Sequence, residues 1–157
     1  MTNKEARASG SNPIDAQQDN WIAVATMSAA TLVLTIDLFG VSVALPTIGR
    51  ELGGSTSSLQ WVTNAYSLSL AALLIPAGRI SDLVGRRRVA VLGLVSFALA
   101  SLACGTAQSM EILIVARAAQ GGAAAMIAAS ALSITSNSVS DENRSLAIGI
   151  WTGVSAI

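Results

Sequence analysis

Two ionisable residues, Asp37 and Arg117, sit inside long apolar runs. A charge at the centre of a bilayer costs about 3 kcal/mol even by the gentler insertion-based scales, so each must be paired or must serve a function. A carboxylate in that setting can bind a proton or a cation. A guanidinium can neutralise the carboxylate, or let it go when something else takes its place. Gln120 lies in the same run as Arg117, one turn further on.

A third cluster, Gly78-Arg79-Ile80-Ser81-Asp82-Leu83-Val84-Gly85-Arg86-Arg87-Arg88, packs four arginines and an aspartate between two apolar runs. Such a segment cannot sit in hydrocarbon, and its glycines predict a tight water-facing turn. Gln60, Asn64 and Ser67 recur at i, i+4 and i+7, which puts them on one helical face. A polar face on a spanning helix either lines a cavity or bonds to neighbouring helices, and both readings stay open.

The elements that carry these residues follow from composition. The 157 residues are 52% hydrophobic and 11% charged, with a mean hydropathy of +0.61. Soluble domains carry about a quarter charged residues, so the expectation is an all-α, polytopic transmembrane helix bundle. Residues 1–20 are polar and read as a disordered tail, followed by a transmembrane half-domain over 21–157. Span one is predicted from Trp21 to Leu45, ended by Pro46, with a loop from Thr47 to Ser58. Span two runs from Leu59 to Ala77, span three from Val89 to Ala107, and span four from Glu111 to Ser136. Gly93, Ser96, Ala100 and Cys104 are spaced for close packing of span three. A loop over 137–144 precedes a last apolar run, too short to span, so four full spans and the start of a fifth are expected, as at the N-terminal end of a longer protein.

Depth decides whether the two charges can meet. Asp37 lies roughly 12 Å below the boundary near Leu45, and Arg117 roughly 9 Å below the boundary near Glu111, on the same side. A pair bridging spans one and four is therefore allowed. It would either neutralise two buried charges or act as a switch, opened when a proton or cation binds Asp37.

Lys4, Arg7, Arg79, Arg86, Arg87, Arg88 and Arg144 fall on one side of the predicted spans, and only Arg50 on the other. This asymmetry predicts a cytoplasmic N-terminus and a multi-pass protein of the plasma (inner) membrane. With no histidine and a single cysteine, imidazole catalysis, a disulfide framework and a zinc cluster are excluded within these residues. No enzyme site, metal, cofactor or nucleic-acid surface is expected.

Three stretches together resemble the major facilitator superfamily of secondary transporters. The segment from Gly78 to Arg88 is similar to its signature loop between helices two and three. Arg117-Ala118-Ala119-Gln120-Gly121 is similar to its helix-four motif. The stretch from Asp37 to Pro46 resembles the helix-one motif of the fourteen-helix drug:proton antiporters, although Leu38-Phe39-Gly40 departs from the usual polar and β-branched residues. The resemblance implies proton-coupled efflux of small hydrophobic or cationic compounds by alternating access. Asp37 would be the site of protonation or cation recognition, and Arg117 would couple proton or substrate with support from Gln120 and Gly121. Gly78 and Gly85 would form the turn, and Asp82 with Arg86 and Arg87 would latch the inner gate. The implied partners are a small-molecule substrate, protons, the lipid bilayer and a C-terminal half of the same protein. A nutrient uniporter or symporter on the same fold, or a non-transporting membrane protein, are the alternatives.

Overall fold

A computed structural model of the chain describes residues 19–155. The expected disordered tail lies outside the described residues as far as residue 18. Among the described residues there are five helices: α1 (Trp21–Leu52), α2 (Thr56–Val84), α3 (Arg86–Gly105), α4 (Met110–Asn137) and α5 (Asp141–Ser155). Four of them, α1 to α4, are long and apolar enough to cross a membrane.

Local chemistry sets the helix ends. Asn20, Ser55 and Ser109 each accept a bond from the backbone N–H three residues on, capping α1, α2 and α4. Gly53 ends α1 in the left-handed conformation at φ 67°. Gly85, at φ 108°, is the single residue between α2 and α3.

Two expectations are corrected here. Pro46 does not end the first helix, which continues to Leu52. Leu45, Ile48 and Leu52 pack against buried Val62, Met110 and Leu113, and this burial keeps the helix going past the hydrogen bond that proline removes. The segment 78–88 is likewise not a turn. Helix α2 runs through Gly78 to Val84, held by buried Ser81, whose Oγ lies 3.2 Å from that of Ser130. Only Gly85 is turn, and Gly78 is a mid-helix residue with open space around it.

Helix α4 is the centre of the bundle, with buried residues along its whole length. Its run of alanines and glycines lets three neighbours approach closely. A Cβ on Gly121 would fall onto the Tyr66 backbone carbonyl of α2. One on Gly93 of α3 would lie 3.0 Å from the Met126 Cβ of α4. In α3 the inward row is Gly93, Phe97 and Ala100; Ser96 faces out because the helical period puts Phe97 in that place.

The mid-bundle core joins Ala30 and Leu34 of α1, Tyr66 of α2, Phe97 of α3 and Ala123, Ala124 and Ile127 of α4. Large apolar side chains also point outward, Val43 and Ile75 at 83% exposure among them. Such a surface would drive aggregation in water and is the solvated surface in lipid.

Candidate functional site

Asp37 stands midway along α1 and Arg117 two turns into α4, and the two helices bring them together inside the bundle. Gly121 makes this possible. By admitting the α2 backbone against α4, it sets the Val62 carbonyl 3.3 Å from Arg117 Nε and the Tyr66 ring 4.3 Å below the guanidinium carbon. A cation over an aromatic face at that distance is attracted by the ring quadrupole, which offsets part of its desolvation.

The polar groups form a closed triangle. Arg117 Nη1 donates to Asp37 Oδ2 at 2.5 Å and to Gln120 Oε1 at 2.7 Å. Gln120 Nε2 donates to Asp37 Oδ1 at 2.7 Å. The Cys104 thiol completes the surround, donating to Gln120 Oε1 at 3.5 Å. Each carboxylate oxygen thus receives one strong bond from α4, and the amide of Gln120 is oriented from both ends.

Exposure separates the members. The Arg117 side chain is 1% exposed and Gln120 is fully buried, whereas the Asp37 side chain keeps 16%. Asp37 is therefore the member of the triangle that something from outside can reach. Arg117 Nη2 and the Tyr66 hydroxyl are buried with no hydrogen-bond partner among the described residues, so the site also holds unused donor capacity.

The remaining expected residues lie elsewhere. Asp82 is exposed and accepts from Arg86 Nη2 at 3.2 Å across the Gly85 break. Arg87 is exposed at the opening of α3. Gln60, Asn64 and Ser67 face outward from α2; Asn64 and Ser67 line a shallow cavity of about 410 Å³ with Trp61, Leu68 and Ala71. None of the three bonds to a neighbouring helix among the described residues.

Three contributors were not placed in this site by the sequence: the Val62 carbonyl, the Tyr66 ring and the Cys104 thiol. A signal existed for Tyr66 alone. It is the only tyrosine in the chain, one turn after Val62 and off the polar face of Asn64.

A polytopic helix bundle with a carboxylate–guanidinium pair in its apolar interior defines an integral, multi-pass membrane protein. The chain belongs to the Major Facilitator Superfamily, whose family model matches residues 27–157. It is 39% identical over 136 residues to the puromycin resistance protein pur8 of Streptomyces alboniger, covering 86% of this chain and 27% of that protein. It is 39% identical over 132 residues to the multidrug efflux pump LfrA of Mycolicibacterium smegmatis, covering 83% and 26%. A third relative, the multidrug resistance protein Stp of Mycobacterium tuberculosis, is 39% identical over 126 residues, covering 80% and 24%. The chain thus spans about a quarter of the length of the curated relatives it matches.

Proposed function

We propose that this chain is part of a proton-coupled exporter of small hydrophobic or cationic compounds, working by alternating access rather than as an enzyme. The observation that carries the reading is the partial exposure of Asp37 within an otherwise buried triangle. A proton or cation arriving at the exposed edge of the triangle meets the carboxylate first, and binding it weakens the hold of Arg117 and Gln120 on α1. The bond lost at Asp37 Oδ2 leaves Arg117 Nη1 with Gln120 Oε1 alone, while Tyr66 and the Val62 carbonyl keep the guanidinium in place on α2. Protonation is thereby converted into a looser contact between α1 and α4, the kind of two-state element that a rocking bundle needs. The relatives, each named as a resistance protein or efflux pump, support the substrate class.

In this reading Asn64 and Ser67 line the transport cavity, and Asp82 belongs to an inner gate latch. The N-terminus is cytoplasmic and the membrane is the plasma membrane, supported by the basic residues collected at one end. Single cysteines replacing Ser57 and Glu142 in a Cys104→Ser background test the orientation. A membrane-impermeant maleimide should label the first in intact cells and the second only after permeabilisation.

The function is tested in everted membrane vesicles with an imposed pH gradient and a lipophilic cationic dye. The protein should drive dye accumulation, and Asp37→Asn should express normally and abolish it. Dye movement that ignores the pH gradient would instead favour a uniporter, and normal pumping by Asp37→Asn would make the triangle purely structural.

A further inference from the structure

Arg86, Arg87 and Arg88 open α3, a helix with no side-chain cap and no acid in its first turn. Helix N-termini carry partial positive charge, so guanidinium groups there meet an unfavourable dipole as well as one another. Asp82 relieves Arg86, but neither Arg87 nor Arg88 forms an ion pair among the described residues. Membrane topology needs positive charge at this end of the bundle, not at this position on a helix.

Arg87 stands at a groove of about 470 Å³ between α1, α3 and α4. Below it the walls are mostly apolar, with Met27 from α1, Val91 and Leu94 from α3 and Ile134 from α4. The hydroxyls of the lining Thr26 and Ser138 are bonded to the Ile22 and Ile134 carbonyls. Asn20, whose Oδ1 caps α1, lines the same groove. From Arg87 to Leu94 the groove descends about 10 Å along α3, from the interfacial level into hydrocarbon. Among the described residues, Asp82 is engaged with Arg86, and Asp19 with Ser140 and Asn143.

A cation at the headgroup level above an apolar channel has the outline of one lipid molecule. A neutral lipid would fill the channel and leave Arg87 unanswered; an anionic phosphate answers both. We propose that this groove binds one anionic glycerophospholipid, its phosphate on Arg87 and an acyl chain along Met27, Val91 and Leu94. Basic pockets between spanning helices on the side that carries the positive charge are suited to anionic headgroups. The site stands independently of the transport reading, and binding in detergent is measured without reference to orientation.

Native mass spectrometry of the purified chain in a non-ionic detergent tests it. Phosphatidylglycerol and phosphatidylcholine of identical acyl chains are added separately, then inorganic phosphate as a competitor. One phosphatidylglycerol should be retained in preference to phosphatidylcholine. Arg87→Gln should cut that preference by about fivefold, the effect of one basic residue near a membrane surface, while Arg87→Lys keeps it. Arg88→Gln, outside the groove, should change it little, and Ala23→Phe, which fills the groove from α1, should displace both lipids. Circular dichroism and gel filtration check that each variant is folded. Equal retention of the two lipids, an equal loss in Arg88→Gln, or unchanged binding in Ala23→Phe would each overturn the proposal. Displacement by millimolar phosphate would reduce the site to a simple anion site and overturn it as well.

Discussion

Asp37 and Arg117 lie eighty residues apart in the chain and meet at 2.5 Å across α1 and α4. Gln120 bonds to both, so the pair cannot part without turning the amide as well. The contact is held from the α4 side: Arg117 is fixed by Val62 and Tyr66, while Asp37 depends on Arg117 and Gln120 for its place.

That asymmetry predicts unequal costs. Asp37→Ala leaves a buried guanidinium facing an apolar wall and should destabilise the bundle by about 3 kcal/mol, the lower end for a broken buried pair because Asp37 keeps some exposure. Asp37→Asn keeps one acceptor oxygen but sets an amide N–H against the second of the two donors that Asp37 serves, so it should recover only part of that cost. Adding Arg117→Met to Asp37→Ala should recover part of the loss, since the uncompensated charge is gone. Unfolding in mixed detergent, followed by helical circular dichroism, measures all three. An unchanged midpoint in Asp37→Ala would mean that the pair contributes nothing to folding.

Much of this was legible in the sequence because the bilayer imposes a ruler. Two charges in apolar runs had to be answered, and counting residues from the span ends put Asp37 and Arg117 at the same depth. The bundle, the four crossing helices and the family resemblance followed from composition and three short motifs. What a ruler cannot give is rotation about the helix axis, so the Tyr66 ring and the Val62 carbonyl stayed hidden: both depend on which face of α2 meets α4. Local rules also misjudged Pro46 and Gly78. Each reads as punctuation by its residue type, and each sits inside a helix, Pro46 in one held by its packing partners and Gly78 in one continued by buried Ser81.

The glycines should separate by position rather than by motif. Gly121→Ala drives a methyl group into the Tyr66 carbonyl, so α2 and α4 must part, at a cost of about 1–3 kcal/mol. Gly85→Ala forces a side chain into a positive φ and should cost about 1–2 kcal/mol. Gly78→Ala meets nothing within 4 Å and should be neutral or slightly stabilising. Unfolding midpoints of the three variants provide the check, and a large loss in Gly78→Ala would contradict its mid-helix placement.

Asp19 makes the join between α1 and α5 dependent on acid. Its carboxylate accepts from the Ser140 N–H at 2.6 Å and from the Asn143 amide at 2.5 Å, while the Asn20 N–H reaches the Ser138 carbonyl at 2.7 Å. The Ser140 backbone bond, then the Asn143 side chain, hold its pKa below the ordinary 3.8. A lowered folded-state pKa means that the bonds contribute fully above that ordinary value and are lost as pH falls through the folded one. The Ser140 amide resonance should therefore titrate with a midpoint below 3.8. In Asp19→Asn that titration should vanish. A midpoint above the ordinary carboxylate value would show that the bonds do not favour the charged form.

Asp82 poses the sharpest separation of stability from function. Its bond to Arg86 is an exposed i, i+4 pair, with side chains 56% and 39% accessible, and pairs of that kind contribute only about 0.3–0.5 kcal/mol. Positive charge alone would satisfy topology at this end, so an acid here is not needed to orient the helices. Asp82→Asn should leave helicity and the unfolding midpoint nearly unchanged. If the carboxylate latches a gate against a partner surface, the same substitution should lower pH-driven dye transport in vesicles at least tenfold, about 1.4 kcal/mol. Arg88→Gln should transport normally, because its charge is redundant with Arg79 and Arg87 for topology. A variant Asp82→Asn that is both stable and fully active would leave this aspartate with no role beyond its weak pair with Arg86.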